Sequence, residues 1–375
     1  MPDRLLRLRE AGQSIWLDYI DRPLITSGRL ERYIDEGWLT GQTTNPTIFE
    51  KALAEGSAYD DQLTSLAKGL TAAEAFELVE AEDVRAACDL FAGVYESTDG
   101  GDGYVSIEVS PQLASDVEAT VSEARRLWEL VGRPNVMVKV PGTAEGARAA
   151  QQLLSEGINV NITLLFALTA YERIIQAFMG GLEARVRAGK PVERVASVAS
   201  FFVSRVDTEV DRRLDALASG ASGAERDRIL GMRGKAAIAN AKLAYRLFCA
   251  ELAGARWRAL AERGARCQRP LWASTGTKNP EFRDVLYVEH LIGRHTVNTM
   301  PPQTIEAFRD HGGLDHLVTD GLNDAQLTLA ELEALGISMA DVTDKLLVEG
   351  LASFQKSFDQ LTAGLEKKLS SLVEA

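Results

Sequence analysis

The sequence predicts an α/β chain folded as a single closed (β/α)8 TIM barrel with additional helices, including a long C-terminal helix. Three observations predict it. Eight short apolar or alternating runs are separated by stretches of helical period, the pattern of βα units feeding a parallel sheet. The runs carry polar residues on one face, gathered toward their C-terminal ends, where barrels build their sites. No Gly/Pro/Ser-rich linker divides the 375 residues, a length that one decorated barrel accommodates. The barrel is expected over about 14–311 and a helical extension over about 323–372.

The strands are expected at 14–20 (SIWLDYI), 39–45, 103–110, 135–141, 158–165, 194–205, 269–275 and 295–300. In the first, Ile15, Leu17 and Tyr19 oppose Trp16 and Asp18; in the third, Val105, Ile107 and Val109 oppose Ser106, Glu108 and Ser110. In the fourth, Val136, Val138 and Val140 oppose Met137 and Lys139; in the fifth, Ile158, Val160, Ile162 and Leu164 oppose Asn159, Asn161 and Thr163. Helical periods fill Ala114–Val131, Ala144–Leu154 and a long stretch near Thr208–Arg266, read as an elaboration between strands six and seven. Gly100–Gly103 precedes a strand and reads as a surface loop. A short helix is expected at Gln303–His311, and a long one from Asp341. Its stripe of Leu347, Leu351, Phe354, Phe358, Leu361 and Leu365 should pack on the parent barrel, or else form a homodimer interface.

The net charge of −13 argues against nucleic acid and against an anionic membrane surface, both of which attract basic proteins. No apolar run is long enough to span a bilayer and Met1–Gly12 lacks the apolar core of a signal peptide, so a cytoplasmic location is expected. Cys88, Cys249 and Cys267 lack ligand spacing and read as buried or half-buried reduced thiols. His290, His295, His311 and His316 match no metal motif, so neither metal nor cofactor is expected.

Lysine is scarce, with eleven in the chain, and only Lys139 falls inside an expected strand. Burial penalises a lone ammonium. Lys139 must therefore pair with a carboxylate or be held as a neutral amine, the form that adds to a carbonyl to make a Schiff base. Asp18 and Glu108 provide two inner-face carboxylates able to move the protons of such chemistry, and the Thr163 hydroxyl can position a water. Ser200, Arg205 and Lys278, near the ends of strands six and seven, suit a phosphate.

These segments resemble the transaldolase family over most of the chain. The most specific stretch is Gly41-Gln-Thr-Thr-Asn-Pro-Thr-Ile-Phe49, similar to the family's TTNP signature. It is joined by Trp16-Leu-Asp-Tyr, Ser106-Ile-Glu-Val, Val138-Lys-Val-Pro-Gly-Thr, the 157–166 run and Ser200-Phe-Phe-Val-Ser-Arg205. The resemblance implies transfer of a dihydroxyacetone unit from sedoheptulose 7-phosphate to glyceraldehyde 3-phosphate, giving erythrose 4-phosphate and fructose 6-phosphate, in the pentose phosphate pathway. By position, Lys139 would form the Schiff base, Asp18 would handle the proton of the cleaved hydroxyl, and Glu108 would act through a water held by Thr163. Asn45, Asn161 and Ser200 would orient the dihydroxyacetone moiety, Phe202 would wall the site and Arg205 would grip the phosphate.

Two departures stand out. The family often carries an arginine after a serine in strand seven. Here Ala273-Ser-Thr-Gly-Thr-Lys-Asn279 is two residues longer and sets Lys278 in the arginine's place, leaving open the roles of Ser274 and Lys278. Pro141-Gly-Thr also replaces a more usual Ala-Ser-Thr. The alternatives are a Schiff-base fructose-6-phosphate-type aldolase, whose members are shorter and lack the Glu108 equivalent, and a non-catalytic sugar-phosphate-binding barrel.

Overall fold

The computed structural model describes residues 3–54, 57–66 and 69–374. Eight parallel strands close into a barrel in chain order: β1 (Gln13–Asp18), β2 (Gly41–Thr43), β3 (Tyr104–Glu108), β4 (Val136–Pro141), β5 (Val160–Leu165), β6 (Ser197–Phe202), β7 (Arg269–Ala273) and β8 (Thr296–Met300), which returns to pair with β1. Each strand overlaps a run expected from the sequence. The largest difference is at the sixth, expected to reach Arg205. Its strand stops at Phe202, and Arg205 lies instead in the first turn of the helix Ser204–Ser219. The apolar run hides that boundary because Val203 and Val206 stay fully buried on both sides of it.

The alternation has its expected meaning. Ile15, Val105, Ile107, Val138, Val160 and Ile162 are fully buried, and each such aliphatic side chain contributes about 1.5–3 kcal/mol through loss of water contact. The opposite residues fill the barrel. The Trp16 indole lies against β2 at its register partner Gly41, where a Cβ would fall 2.5 Å from Nε1, so only glycine admits the ring.

The N-terminal end of the barrel is closed by a segment read from sequence as a surface loop. Asp102, within Gly100–Gly103, is buried. It accepts hydrogen bonds from the Trp16 indole (2.8 Å), the Ser14 hydroxyl and the Arg269 guanidinium (3.3 Å). One carboxylate thus ties β1 to β7 across the barrel floor. Glycine richness signalled a turn, but not that the turn delivers a side chain inward. The cysteine expectation also needs one correction: Cys88 is buried and Cys267 half-buried, but Cys249 is exposed on a helix surface.

The region between β6 and β7 resolves into helices Ser204–Ser219, Gly223–Leu230, Ala236–Leu252 and Ala255–Ala261. They are anchored to the barrel's C-terminal side. Asn240 donates to the Phe166 carbonyl (2.8 Å), and Asp207 accepts from the Ala237 amide (2.7 Å) and the Tyr287 hydroxyl (2.9 Å). Burial pushes the Asp207 carboxyl up to about 7.

After β8 and the helix Pro302–His311 come Leu322–Ala334 and the 36-residue helix Met339–Glu374, which at 1.5 Å per residue runs for about 54 Å. Its stripe turns inward. Phe354, Leu361 and Leu365 are buried, and the Phe358 ring meets Phe76 edge-on at 6.2 Å. Ser357 bonds Thr47 (2.8 Å), and Gly350 passes over Leu164 so closely that a Cβ would lie 3.0 Å from it. The stripe packs within the chain, with Leu347, Leu351 and Phe358 half-buried. No helix among the described residues is long and apolar enough to cross a membrane.

Removing one partner of a buried, hydrogen-bonded ion pair costs on the order of 3–5 kcal/mol. Asp102→Ala should therefore lower the free energy of unfolding by about that much, read from urea denaturation. An unchanged midpoint would show that the floor contact does not hold the barrel closed.

Candidate active site

A cavity of about 470 Å³ opens at the C-terminal ends of the strands. It is lined by Asp18, Asn45, Lys139, Thr163, Ser200, Phe202, Arg205, Ser274 and Lys278, all anticipated from sequence. Register explains much of this convergence. Glu108 on β3 is the direct neighbour of Lys139 on β4, which neighbours Asn161 on β5; Asp18 on β1 neighbours Thr43 on β2. Parallel neighbours in register point the same way, so their inward side chains meet.

Lys139 is 5% exposed and Glu108 9%, too little to solvate either charge alone. The Lys139 ammonium donates to Glu108 Oε2 (3.2 Å) and to the Thr44 carbonyl (2.8 Å). Of the two options open to a strand-borne lysine, the structure shows the pair. Burial pushes the Glu108 carboxyl above the usual carboxylate range, opposed by Lys139. Burial likewise raises Asp18, opposed first by Lys139 and then by a hydrogen bond from the Thr43 hydroxyl. That bond is 2.9 Å, and Thr43 in turn meets Thr299 Oγ1 at 2.6 Å.

The TTNP segment has a local logic. Asn45 Oδ1 accepts from the Ile48 amide (3.1 Å) at the start of the helix Pro46–Ala54, with proline where a helix tolerates it best. Its Nδ2, on a residue lining the cavity, makes no hydrogen bond among the described residues. Thr163 lies within an irregularity of β5 between Ile162 and Leu165, where Leu164 takes a φ of +59°. The bulge turns the strand end, and the Thr163 hydroxyl is left buried without a hydrogen-bond partner among the described residues. A buried hydroxyl in that state is ready for a water or a ligand.

Two anticipated residues do not line this cavity. Asn161 lies below it, fully buried, donating to Ser106 Oγ (3.0 Å) and accepting from the Ser200 hydroxyl (2.7 Å). Its place is behind Ser200. Glu108 reaches the cavity only through Lys139 and opens on a different one.

Arg205 and Lys278 face the same space, and neither forms an ion pair among the described residues. The Arg205 guanidinium lies 5.2 Å from the Phe202 ring centroid. Desolvation lowers its pKa, opposed by Asp18. Ser274, at φ +57°, costs on the order of 1 kcal/mol of backbone strain. It is held by Ser204 through a hydroxyl contact of 2.9 Å and a hydrogen bond of 3.0 Å from the Ser204 amide to the Ser274 carbonyl. The turn it makes carries the chain round to Lys278.

Sequence reasoning missed Thr43, Thr299, Lys51 and the site role of Phe354, all of which line the cavity. Thr43 lay within the TTNP run, and its register with Asp18 was the available signal. Nothing in the sequence places Phe354, in the C-terminal helix, on the wall of the same cavity as Lys139.

A lysine amine flanked by carboxylates at a barrel mouth, with two cations at the rim that form no ion pair among the described residues, has the parts for imine chemistry on an anionic carbonyl compound. Comparison with known proteins agrees with that class. The family model described as transaldolase/fructose-6-phosphate aldolase matches residues 15–365. The chain is 48% identical over 373 residues to the transaldolase of Thermobifida fusca, covering 99% of this chain and 100% of that one. It is 49% identical over 371 residues to the transaldolase of Acidothermus cellulolyticus, covering 98% of each. The figure is 44% over 375 residues for transaldolase 2 of a Nostoc strain, with 99% and 98% covered. The chain belongs to the transaldolase/fructose-6-phosphate aldolase family.

If Asn161 acts only by holding Ser200, the two should not contribute independently. The Asn161→Ala and Ser200→Ala variants, combined in a double-mutant cycle on kcat/KM, should show the double variant little worse than the poorer single. Additive losses would give Asn161 a separate role.

Proposed function

We propose that the chain is a transaldolase, moving a dihydroxyacetone unit from sedoheptulose 7-phosphate to glyceraldehyde 3-phosphate to yield erythrose 4-phosphate and fructose 6-phosphate, as a cytoplasmic enzyme of the non-oxidative pentose phosphate pathway. The whole chain acts as one catalytic domain. The observation that carries this reading is Lys139, paired with Glu108 behind it, on the wall of a cavity also lined by Asp18 and by two cations that form no ion pair among the described residues. The full-length identity to transaldolases supports it.

The cycle begins when Lys139, relieved of a proton by Glu108, adds through Nζ to the C2 carbonyl of the ketose. The carbinolamine loses its hydroxyl as water, with Glu108 returning the proton through a water held by Thr163, and the imine forms. Asp18 then takes the proton of the C4 hydroxyl as the C3–C4 bond breaks. The aldose phosphate leaves and the three-carbon unit stays on Lys139 as an enamine. Addition to the acceptor aldehyde and hydrolysis run the same steps backward. Asn45 and Ser200 orient the bound hydroxyls, while Asn161 holds Ser200. Arg205 binds the phosphate, with Lys278, joined to the site by Ser274, as a second, point-like cation.

Borohydride with fructose 6-phosphate should leave a reduced three- or six-carbon adduct on Lys139 by mass spectrometry. Lys139→Arg should abolish both adduct and turnover while unfolding like the parent, because a guanidinium cannot form the imine. An adduct elsewhere, or turnover in that variant, would falsify the nucleophile assignment. Transfer should exceed release of free dihydroxyacetone when erythrose 4-phosphate is supplied; the reverse would make the chain an aldolase.

Arg205→Ala should raise KM for phosphorylated substrates roughly 10- to 100-fold, the equivalent of about 1.5–3 kcal/mol for charge-assisted hydrogen bonds. It should leave unphosphorylated dihydroxyacetone chemistry far less affected. Equal losses on both would remove Arg205 from the phosphate site.

A further inference from the structure

A separate cavity of about 400 Å³ opens at the N-terminal ends of the strands, opposite the candidate active site. Its ceiling is formed by Tyr104, Met137 and Val198, buried residues near the starts of β3, β4 and β6. Met137 and Val198 share strand faces with Lys139 and Ser200, two positions further on. The cavity therefore ends one layer of side chains beneath the site. Arg266, Arg269 and Arg294 line its walls, with the exposed His295 at the rim.

The arginines here outnumber the carboxylates that serve them. Asp102 takes Arg269 (3.3 Å), and Asp99 takes both Arg266 (2.8 Å) and Arg194, which stands beside Gly100. The Glu193 carboxylate lies against Gly264 and does not line the cavity. The Arg294 guanidinium forms no hydrogen bond or ion pair among the described residues. Four guanidiniums thus share two carboxylates, a local positive excess in a chain whose net charge is −13.

Arg294 is nonetheless firmly placed. Its carbonyl accepts from the Tyr245 hydroxyl (3.1 Å), and Gly12, at φ +95°, passes so close that a Cβ would lie 3.0 Å from the Arg294 Cα. His295 beside it takes a φ of +58°, a left-handed conformation that costs a non-glycine residue energy. The fold fixes this backbone and leaves the guanidinium on it to the cavity.

We propose that the floor cavity is a second anion site, taking a phosphate monoester with a small uncharged body. Such an ester carries roughly −1.5 to −2 charges at neutral pH, which matches the local excess. Guanidiniums offer phosphate oxygens paired N–H donors. The space exceeds what a phosphate group fills, and the ceiling of Tyr104, Met137 and Val198 presents no charge, so the remainder of the ligand is uncharged. The occupant joins the segments that lead into β7 and β8 and rests on the layer beneath Lys139. No bond is made or broken there, and the site does not depend on the chemistry at Lys139.

Glycerol 3-phosphate is a suitable probe, because it has no carbonyl and cannot form an imine. Calorimetric titration should find two sites per chain, one at Arg205 and Lys278 and one on the floor. The Arg205→Ala/Lys278→Ala enzyme should keep the floor site. Adding Arg294→Met should weaken it about 10- to 100-fold, the range expected for a charge-assisted hydrogen bond. Arg294→Met alone should leave kcat and KM for fructose 6-phosphate at parental values in phosphate-free buffer. Should that variant fail to fold, Arg266→Lys, which keeps a charge for Asp99 but loses the bidentate fork, should weaken the floor site severalfold. Inorganic phosphate should bind the floor less tightly than the ester; equal binding overturns the assignment to an ester. Loss of all binding in Arg205→Ala/Lys278→Ala, or floor affinity unmoved by Arg294→Met or Arg266→Lys, overturns the site itself. Failure to trap an adduct on Lys139 would remove the Schiff-base reading and leave this result standing.

Discussion

A lysine ammonium and a glutamate carboxylate, side by side on adjacent strands and almost wholly withdrawn from water, constrain everything around them. Each would be costly to bury alone, and together they are tolerated only with good geometry and further hydrogen bonds. The register of β3 against β4 makes them neighbours, and the Thr44 carbonyl at the end of β2 accepts a second ammonium proton. Three strands thus cooperate to hold one amine. The pair also sets the local electrostatics: Lys139 is the leading force that opposes the upward drift of both Asp18 and Glu108.

The supporting layers follow from that requirement. Beneath the site, Ser106, Asn161 and Ser200 form a hydrogen-bonded chain across β3, β5 and β6 that leaves the Ser200 hydroxyl oriented at the surface of the cavity. Beside it, Thr299 and Thr43 pass a hydrogen bond to Asp18. Farther down, Asp102 closes the floor. Above, the C-terminal helix crosses the mouth at Gly350 and lowers Phe354 into the wall. An acidic protein receives an anion because its positive charge is concentrated locally. Arg205, Lys278 and Lys51 line one cavity and form no ion pair among the described residues, whereas many other arginines of the chain are neutralised in surface ion pairs.

The strands were legible because the period of two exposes inner and outer faces directly, and Asp18, Lys139 and Thr163 followed from it. Lysine scarcity sharpened the choice, since an ammonium in the middle of an apolar strand has few tolerable explanations. Arg205 was found for its type and placed on the wrong element, because buried valines run unbroken from β6 into the next helix. Asn161 was found as an inner-face residue, but alternation says only that a side chain points inward, not that it stops in hydrogen bonds to Ser106 and Ser200. Asp102 was missed because a glycine-rich loop reads as surface when the partners that bury its one carboxylate, Ser14, Trp16 and Arg269, are more than 80 residues away in sequence.

By itself the sequence determined the α/β alternation, the eight inward-facing faces, the one lysine among them and the two carboxylates beside it. These are properties of local period and residue type. Only the tertiary structure decided which side chains touch: that Lys139 is paired with Glu108, that Glu108 opens on a second cavity, and that the C-terminal stripe packs within its own chain. Those outcomes depend on strand register, barrel closure and the path of a helix about 54 Å long, and each joins residues whose separation along the chain carries no information about their distance in space.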